Sequence, residues 1–277
     1  MSGKIFLITG CSSGIGRALA QDICAAGHIV YAAARNIDSL ESVASTSLRP
    51  VSLDVNSAVD IAAVYDLIKR DQGRLDVLVN NAGYGAMGPL LDISSEEIRA
   101  QFDTNLFAPL QMVQSFMPLM RAADSAIIAN IGSAAGFLST PFSGAYCASK
   151  AALHTLSEVM RMELQPLGVH VMTVVPGAVS SAFSNTAGNR ASANLADNSA
   201  YKNLEVAIDA RARISADSPT TPARFARVLA AALLSARPPA ELHVGQGSTV
   251  MPMLKKYLPR ALRDRMLSRK FKLDSIG

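Results

Sequence analysis

No tryptophan occurs in the 277 residues, and aromatic side chains make up only 5% of them. With 49% of residues hydrophobic, the chain can still bury a sizeable core, and general disorder is excluded. The scarcity of rings makes that core aliphatic and alanine-rich, as where helices pack closely on a sheet. Cysteine is scarce too. Cys11, Cys24 and Cys147 are odd in number and lack CxxC or Cys/His ligand spacing. That pattern excludes a disulfide framework and a zinc site; it reads as reduced thiols in a cytoplasmic protein with no metal. Long apolar runs are missing as well: none reaches the roughly 18 residues of a transmembrane helix. The opening MSGKIFLITG passes into glycine-rich sequence too early for a signal peptide. Basic charge is missing from the body of the chain. Of the net +4, residues 251–277 supply +6, from eight Lys/Arg against two Asp, which leaves −2 for the rest. The body therefore lacks the basic footprint that nucleic acid requires. No repeat and no linker divides the sequence, so one domain over 1–277 is expected.

What is present is organised around Ser133–Lys150, SAAGFLSTPFSGAYCASK. Tyr146 leads an alanine-rich run that reads as helix. Helical residues four apart share a face, so the Tyr146 phenol and the Lys150 ammonium are expected side by side. A free tyrosine titrates near about 10, and a neighbouring cation favours the phenolate. Tyr146 then becomes a proton donor or acceptor near neutral pH. Ser133 can hold a carbonyl oxygen beside the phenol. Taken alone, YxxxK is a common accident on a helix surface. The residues upstream change its weight.

Lys4–Thr9 reads as a buried parallel strand, followed by Gly10, Cys11, Ser12, Ser13, Gly14, Ile15 and Gly16, then a helix over Arg17–Ala26. Strand, glycine-rich turn and helix in this order make an anion site, because backbone approaches the pyrophosphate and the helix N-terminus offers free N–H groups. The second strand, His28–Ala34, ends on Arg35 and not on the acid that binds ribose hydroxyls in many NAD sites. Arginine suits the 2′-phosphate of NADP, with Ser12 or Ser13 as a further donor; the bland alternative is a solvated surface arginine. A third strand, Arg49–Val55, brings Asp54 beside Val55, where the carboxylate can accept from an adenine amino group. Leu75–Val79 runs into Asn80, Asn81, Ala82 and Gly83, whose amides either tie strands together or touch a ribose. Asn105 lies in an apolar helical stretch that contains Pro109. It either bonds neighbouring backbone, holds a water near the site, or does both. Ser125–Ile131 is a fifth strand that delivers Ser133 at its C-terminal end. His170–Val175 is a sixth, ending in Pro176, Gly177, Ala178, Val179, Ser180 and Ser181. Residues 182–221 read as a lid or substrate loop, and Glu241–Val244 as a last short strand. The order predicts an α/β fold: a doubly wound parallel sheet of about seven strands with helices on both faces, in three layers.

Together these residues resemble the short-chain dehydrogenase/reductase family. TGCSSGIG resembles its cofactor loop, LDV its adenine contact, NNAG its structural motif, YCASK its YxxxK and PGAVSS the motif beside the nicotinamide. The resemblance runs from about Lys4 to Ser181 and looks closest to the branch of 17β-hydroxysteroid and retinol dehydrogenase-like enzymes. It implies a Rossmann-type oxidoreductase that uses NADP(H) to interconvert a lipophilic ketone or aldehyde and an alcohol. Tyr146 would be the acid/base, and Lys150 would lower its pKa and hold the nicotinamide ribose. Ser133 would orient the carbonyl, and Asn105 would support a water in a proton relay. Ser181 stands where the family more often has threonine. A homodimer or homotetramer is implied through the helices of Asn105 and Tyr146. Two other classes are compatible with the fold: an NADP-sensing regulator, which would be expected to lose the Tyr/Lys pair, and a nucleotide-sugar epimerase or dehydratase, which usually shows TGxxGxxG where this chain has Ser13. The basic tail offers Leu254, Leu258, Leu262 and Met266 four apart. That stripe either covers the substrate cleft, the favoured reading, or meets an anionic membrane.

Overall fold

Short aliphatic runs form the strands of one sheet in a computed structural model that describes residues 3–276; Met1, Ser2 and Gly277 of the expected domain lie outside the described residues. The strands are β1 (Ile5–Ile8), β2 (Ile29–Ala34), β3 (Leu48–Ser52), β4 (Val77–Asn80), β5 (Ala126–Ile131), β6 (Val169–Pro176) and β7 (Glu241–Val244). They pair in the order β3-β2-β1-β4-β5-β6-β7, and every pairing is parallel. Parallel strands are covered on both faces, which is why IFLI is apolar throughout and AIIANI is apolar except for Asn130, a buried amide held by hydrogen bonds with Asn80 and Ser157. The chain winds one way from β1 to β3 and the other way from β4 to β7. The crevice where the order reverses opens at the C-terminal ends of β1 and β4.

The helices are α1 (Gly14–Ala25), α2 (Ala58–Gln72), α3 (Ser95–Phe102), α4 (Ala108–Met120), α5 (Gly144–Leu164), α6 (Ala182–Ala193), α7 (Glu205–Ala212), α8 (Pro222–Leu233), α9 (Val250–Tyr257) and α10 (Arg260–Lys270). Alternation along β1 sends Phe6 and Ile8 to one face, where Leu19 and Ile23 of α1 and Phe225 and Leu229 of α8 meet them. Ile5 and Leu7 go to the other, against Ile68 of α2 and Phe116 of α4. Each such side chain, wholly withdrawn from water, contributes about 1.5–3 kcal/mol. A third cluster lies outside this sandwich. It joins Met87, Leu138 and Phe142 to the α6–α7 segment and to Leu267 and Phe271 of the tail.

Four expectations need correction. The third strand stops at Ser52, because the backbone turns there: the Asp54 N–H donates to Asp60 Oδ2 and the Asn56 N–H to Asp54 Oδ1, each at 2.9 Å. The helix carrying Asn105 is not continuous. Asp103–Phe107 forms a π-turn in which the Ala108 N–H reaches back five residues to the Asp103 carbonyl. Pro109 follows, has no N–H to give, and would clash with the carbonyl four residues earlier, that of Asn105. Residues 182–221 are largely helical, forming α6, a short 3-10 turn at Lys202–Leu204, and α7. The tail breaks at Leu258–Pro259, so its stripe is not one face. Leu254 packs inward, Leu262 is 55% exposed, and Leu267 and Phe271 are buried in their place.

Candidate active site

The turn after β1 is shaped by atoms it does not have. Gly10 takes φ +70°, and a Cβ there would stand 2.9 Å from the Ala82 Cα. A Cβ on Gly16 would stand 2.5 Å from both the Gly10 carbonyl oxygen and Asn81 Nδ2. The Asn81 amide donates to the carbonyls of Thr9 (2.8 Å) and Gly10 (3.1 Å), while the Thr9 hydroxyl accepts from the N–H groups of Asn81 and Ala82. Asn80 donates across to Asn130 Oδ1 at 2.8 Å. Both amides of NNAG thus tie strand ends together, the structural option left open by the sequence.

Ser13 caps α1 with extended backbone and no side-chain hydrogen bond, and no acid occupies the first turn. The first N–H groups of α1 are left for an anion, with Ser12 and Ser13 exposed beside them. Arg35 stands exposed just past β2. A Cβ on Gly14 would lie 3.5 Å from the Ser181 side chain, so the Pro176–Ser181 turn, with Gly177 and Val179, closes on the same loop. Val55 and Ala82 line a small recess with Thr9 and Asn80, and Asp54 and Gly83 are their chain neighbours. These residues fit a dinucleotide: a cradle too narrow for side chains, a bare helix N-terminus and a cation where a 2′-phosphate would extend.

Three of the residues expected to act in catalysis, Ser133, Tyr146 and Lys150, lie just after β5 and in the first turns of α5. Ser133 leaves β5, and its Oγ accepts the Ala135 N–H at 3.1 Å. Burial holds the Tyr146 phenol above its ordinary range, while the nearby Ser133 hydroxyl and the Arg211 charge draw it down. Lys150, expected to lower the Tyr146 pKa, is not among the groups that shift it; its Nζ donates to the Ile131 carbonyl at 2.7 Å, and burial lowers its own pKa to about 8. Asn105 is fully buried on the π-turn. Its Oδ1 accepts from the Tyr84 N–H (3.1 Å), and its Nδ2 donates to the Tyr84 carbonyl (2.9 Å) and to Ser149 Oγ (3.1 Å). A Cβ on Gly83 would meet Asn105 Oδ1 at 2.9 Å and Lys150 Nζ at 3.6 Å, so Asn105 and Lys150 converge under the NNAG turn.

Two residues at this site were not singled out from the sequence. His154 Nε2 accepts the Ser133 N–H at 3.2 Å, which fixes the proton on Nδ1, an enclosed atom without a partner among the described residues. Burial, with the charges of Lys150 and His243, lowers its pKa to about 4. Its position four residues after Lys150, on the same helix face, was a usable signal. Arg211 of α7 reaches Thr140 and Ser143, in the loop between Ser133 and Tyr146. Nothing local in the sequence marked that tertiary contact.

A narrow backbone cradle for pyrophosphate, set against a serine, a tyrosine and a lysine at the switch of a doubly wound sheet, defines a dinucleotide-dependent oxidoreductase of Rossmann type. Residues 4–192 match the family model described as short chain dehydrogenase. The NADPH-dependent 1-acyldihydroxyacetone phosphate reductase of Saccharomyces cerevisiae is 30% identical over 283 residues, covering 99% of this chain and 93% of the yeast protein. A short-chain dehydrogenase from Streptomyces avermitilis superposes with a TM-score of 0.80 at 30% identity, covering 99% of this chain and 98% of that one. A metagenomic short-chain oxidoreductase solved in complex with NADP gives a TM-score of 0.69 at 30% identity, covering 88% and 97%. The chain belongs to the short-chain dehydrogenase family.

Proposed function

We propose that this protein uses NADP(H) to interconvert a ketone or aldehyde and an alcohol on a lipophilic small molecule. The observation that carries this reading is the position of Tyr146. Its phenol is within reach of the Ser133 hydroxyl, which favours its ionised form, and its ring packs 5.5 Å from Phe183, against the apolar cluster of Met87, Leu138 and Phe142. A carbonyl set between the two hydroxyls would carry its apolar remainder into that cluster. The nicotinamide, when bound, supplies or accepts the hydride. The rest falls to this chain. Ser133 orients the carbonyl oxygen, and Tyr146 gives or takes its proton. Lys150, tied to Ile131 by one of its three donors, keeps the others for the nicotinamide ribose. Asn105, locked on the Tyr84 backbone, supports the water that returns a proton. His154 fixes the Ser133 turn and is a positioning residue.

The substrate is a lipid-like molecule. The activity for which the yeast relative is named supports this, as does the third cluster, where lid and tail meet beside the phenol. NADPH consumption with a panel of long-chain ketones and aldehydes tests the reading. Turnover should be present in the wild type and absent in Tyr146→Phe, while tight NADPH binding without turnover on any of them would point to a sensor. The free thiols suit a reducing, cytoplasmic setting, and no helix among the described residues is long and apolar enough to cross a membrane. Phe107 before α4 and Met162 on α5 are exposed, which supports self-association through these helices; light scattering should give a dimer or tetramer mass. The tail covers the lid cluster through Leu254, Leu267 and Phe271. Its exposed Met253 and Tyr257, among lysines and arginines, support a second contact with anionic lipid. Failure to co-sediment with phosphatidylserine vesicles at low salt would remove that contact.

A further inference from the structure

Arg211 is 6% exposed, and among the described residues no carboxylate pairs with it. Its Nε donates to Thr140 Oγ1 at 2.7 Å and its Nη2 to Ser143 Oγ at 2.9 Å. Nη1 donates to no group among the described residues. A guanidinium does not shed its charge at physiological pH, and two neutral hydroxyls offset only part of what burial costs a cation. Burial lowers the pKa of this arginine, while Cys147 and Tyr146 act on it in the opposite direction; the Ser143 hydroxyl that it holds lies 3.4 Å from Cys147 Sγ, beside Tyr146 in the chain. The cation therefore lies within electrostatic reach of the reacting phenol.

Its surroundings fix which side of the phenol it occupies. Thr140 and Ser143 belong to the loop that runs from Ser133 to Tyr146. From the same loop, Leu138 and Phe142 enter the apolar cluster, and Ile208 and Ala212 enter it from α7 on either side of Arg211. Phe142 takes φ +61°, a conformation disfavoured for a bulky residue. It is held there by its ring contacts with Tyr201 and Phe271 and by the Gly88 N–H on its carbonyl. One positive charge, with a free donor, thus stands at the boundary between an apolar compartment and the proton donor.

We propose that Arg211, seated by Thr140 and Ser143, receives an anionic oxygen group, a carboxylate or a phosphate, that the substrate carries close to its reacting carbonyl. The substrate class is then an anionic amphiphile: an apolar chain for the third cluster, a carbonyl for Ser133 and Tyr146, and an acid group for Arg211. Arginine suits this task because its planar fork pairs with both oxygens of such a group. The proposal rests on the reductase reading, but its test does not require turnover.

The test compares octyl phosphate, octanoate and octanol as stabilising ligands of the NADPH-saturated protein, so that the cofactor's own phosphate sites are filled. The measurement is the rise in melting temperature with ligand concentration. At least one anionic ligand should bind more tightly than octanol, and which one does so separates phosphate from carboxylate. Arg211→Gln keeps a donor for Thr140 and Ser143 but removes the charge. It should weaken the anionic ligand about tenfold or more and leave octanol nearly unaffected. Arg211→Lys keeps the charge and should fall between the two. Equal binding of octanol and the anions by the wild type would overturn the proposal, as would an anionic preference that survives Arg211→Gln. Either result would make Arg211 a latch between lid and core. Failure to reduce any carbonyl, with the anionic preference intact, would instead sink the reductase reading and leave the anion site standing.

Discussion

At the proposed cofactor end, Gly10, Gly14 and Gly16 leave backbone and a bare helix terminus for binding, and the contacts that hold the loop come from Thr9 and Asn81 a few ångströms away. At the proposed substrate end the means are reversed. There Arg211, Phe183, Leu267 and Phe271 come from segments as distant as α6, α7 and the tail, and side chains would carry the recognition. A site of the first kind is set by backbone shape and is indifferent to the substrate. The second can be rebuilt by changing a few residues while the chemistry between the two ends stays the same.

The sharpest way to break this division is Tyr146→Phe, which sits on the border. Carbonyl reduction followed by NADPH absorbance should fall about 10²–10⁴-fold, while NADPH titration should stay near wild type. A matching loss of NADPH binding would mean that the two ends are not separable. Gly16→Ala tests the cofactor end: its Cβ would stand 2.5 Å from the Gly10 carbonyl oxygen, so NADPH affinity should drop about tenfold or more and the melting temperature should fall with it. Arg35→Ala sharpens the picture within that end. It should weaken NADPH about tenfold more than NADH, the worth of a charge-assisted contact, and equal losses would refute the 2′-phosphate assignment. The smallest effect is expected at His154. Its pKa is about 4 in the folded protein against an ordinary 6.5, so the unfolded chain takes up the proton first as pH falls. Its share of stability is therefore complete above about pH 6.5 and is lost progressively towards pH 4. His154→Gln should flatten the fall in melting temperature across that window.

What the sequence made legible follows the same division. Strand–glycine turn–helix, NNAG and YxxxK are local patterns whose geometry is fixed within a few residues, and Tyr146, Ser133 and Asn105 were found from them. The lid was not legible as helix, because α6 reads AFSNTAGNRASA: its buried positions are Ser184, Ala187, Gly188 and Ala191, too small to mark a hydrophobic period. Gly188 is there because the Arg213 guanidinium crosses it; a Cβ would come within 2.4 Å of Cζ. The tail misled for the opposite reason. Leucines four apart looked like one stripe, but Pro259 restarts the helix and turns Leu262 outward and Leu267 inward. The π-turn at Asn105 was signalled only by Pro109, four residues on.

The His154 ring fills a socket that two glycines leave open. A Cβ at position 132 would fall 2.2 Å from Nε2, and one at position 136 would fall 2.6 Å from Cε1. Positions 132, 136 and 154 are therefore a single inherited choice. In related sequences, a side chain at either glycine should occur only together with a smaller residue at 154. In mutational libraries of this protein, Gly136→Ala should be rescued by His154→Ala and by few other second changes.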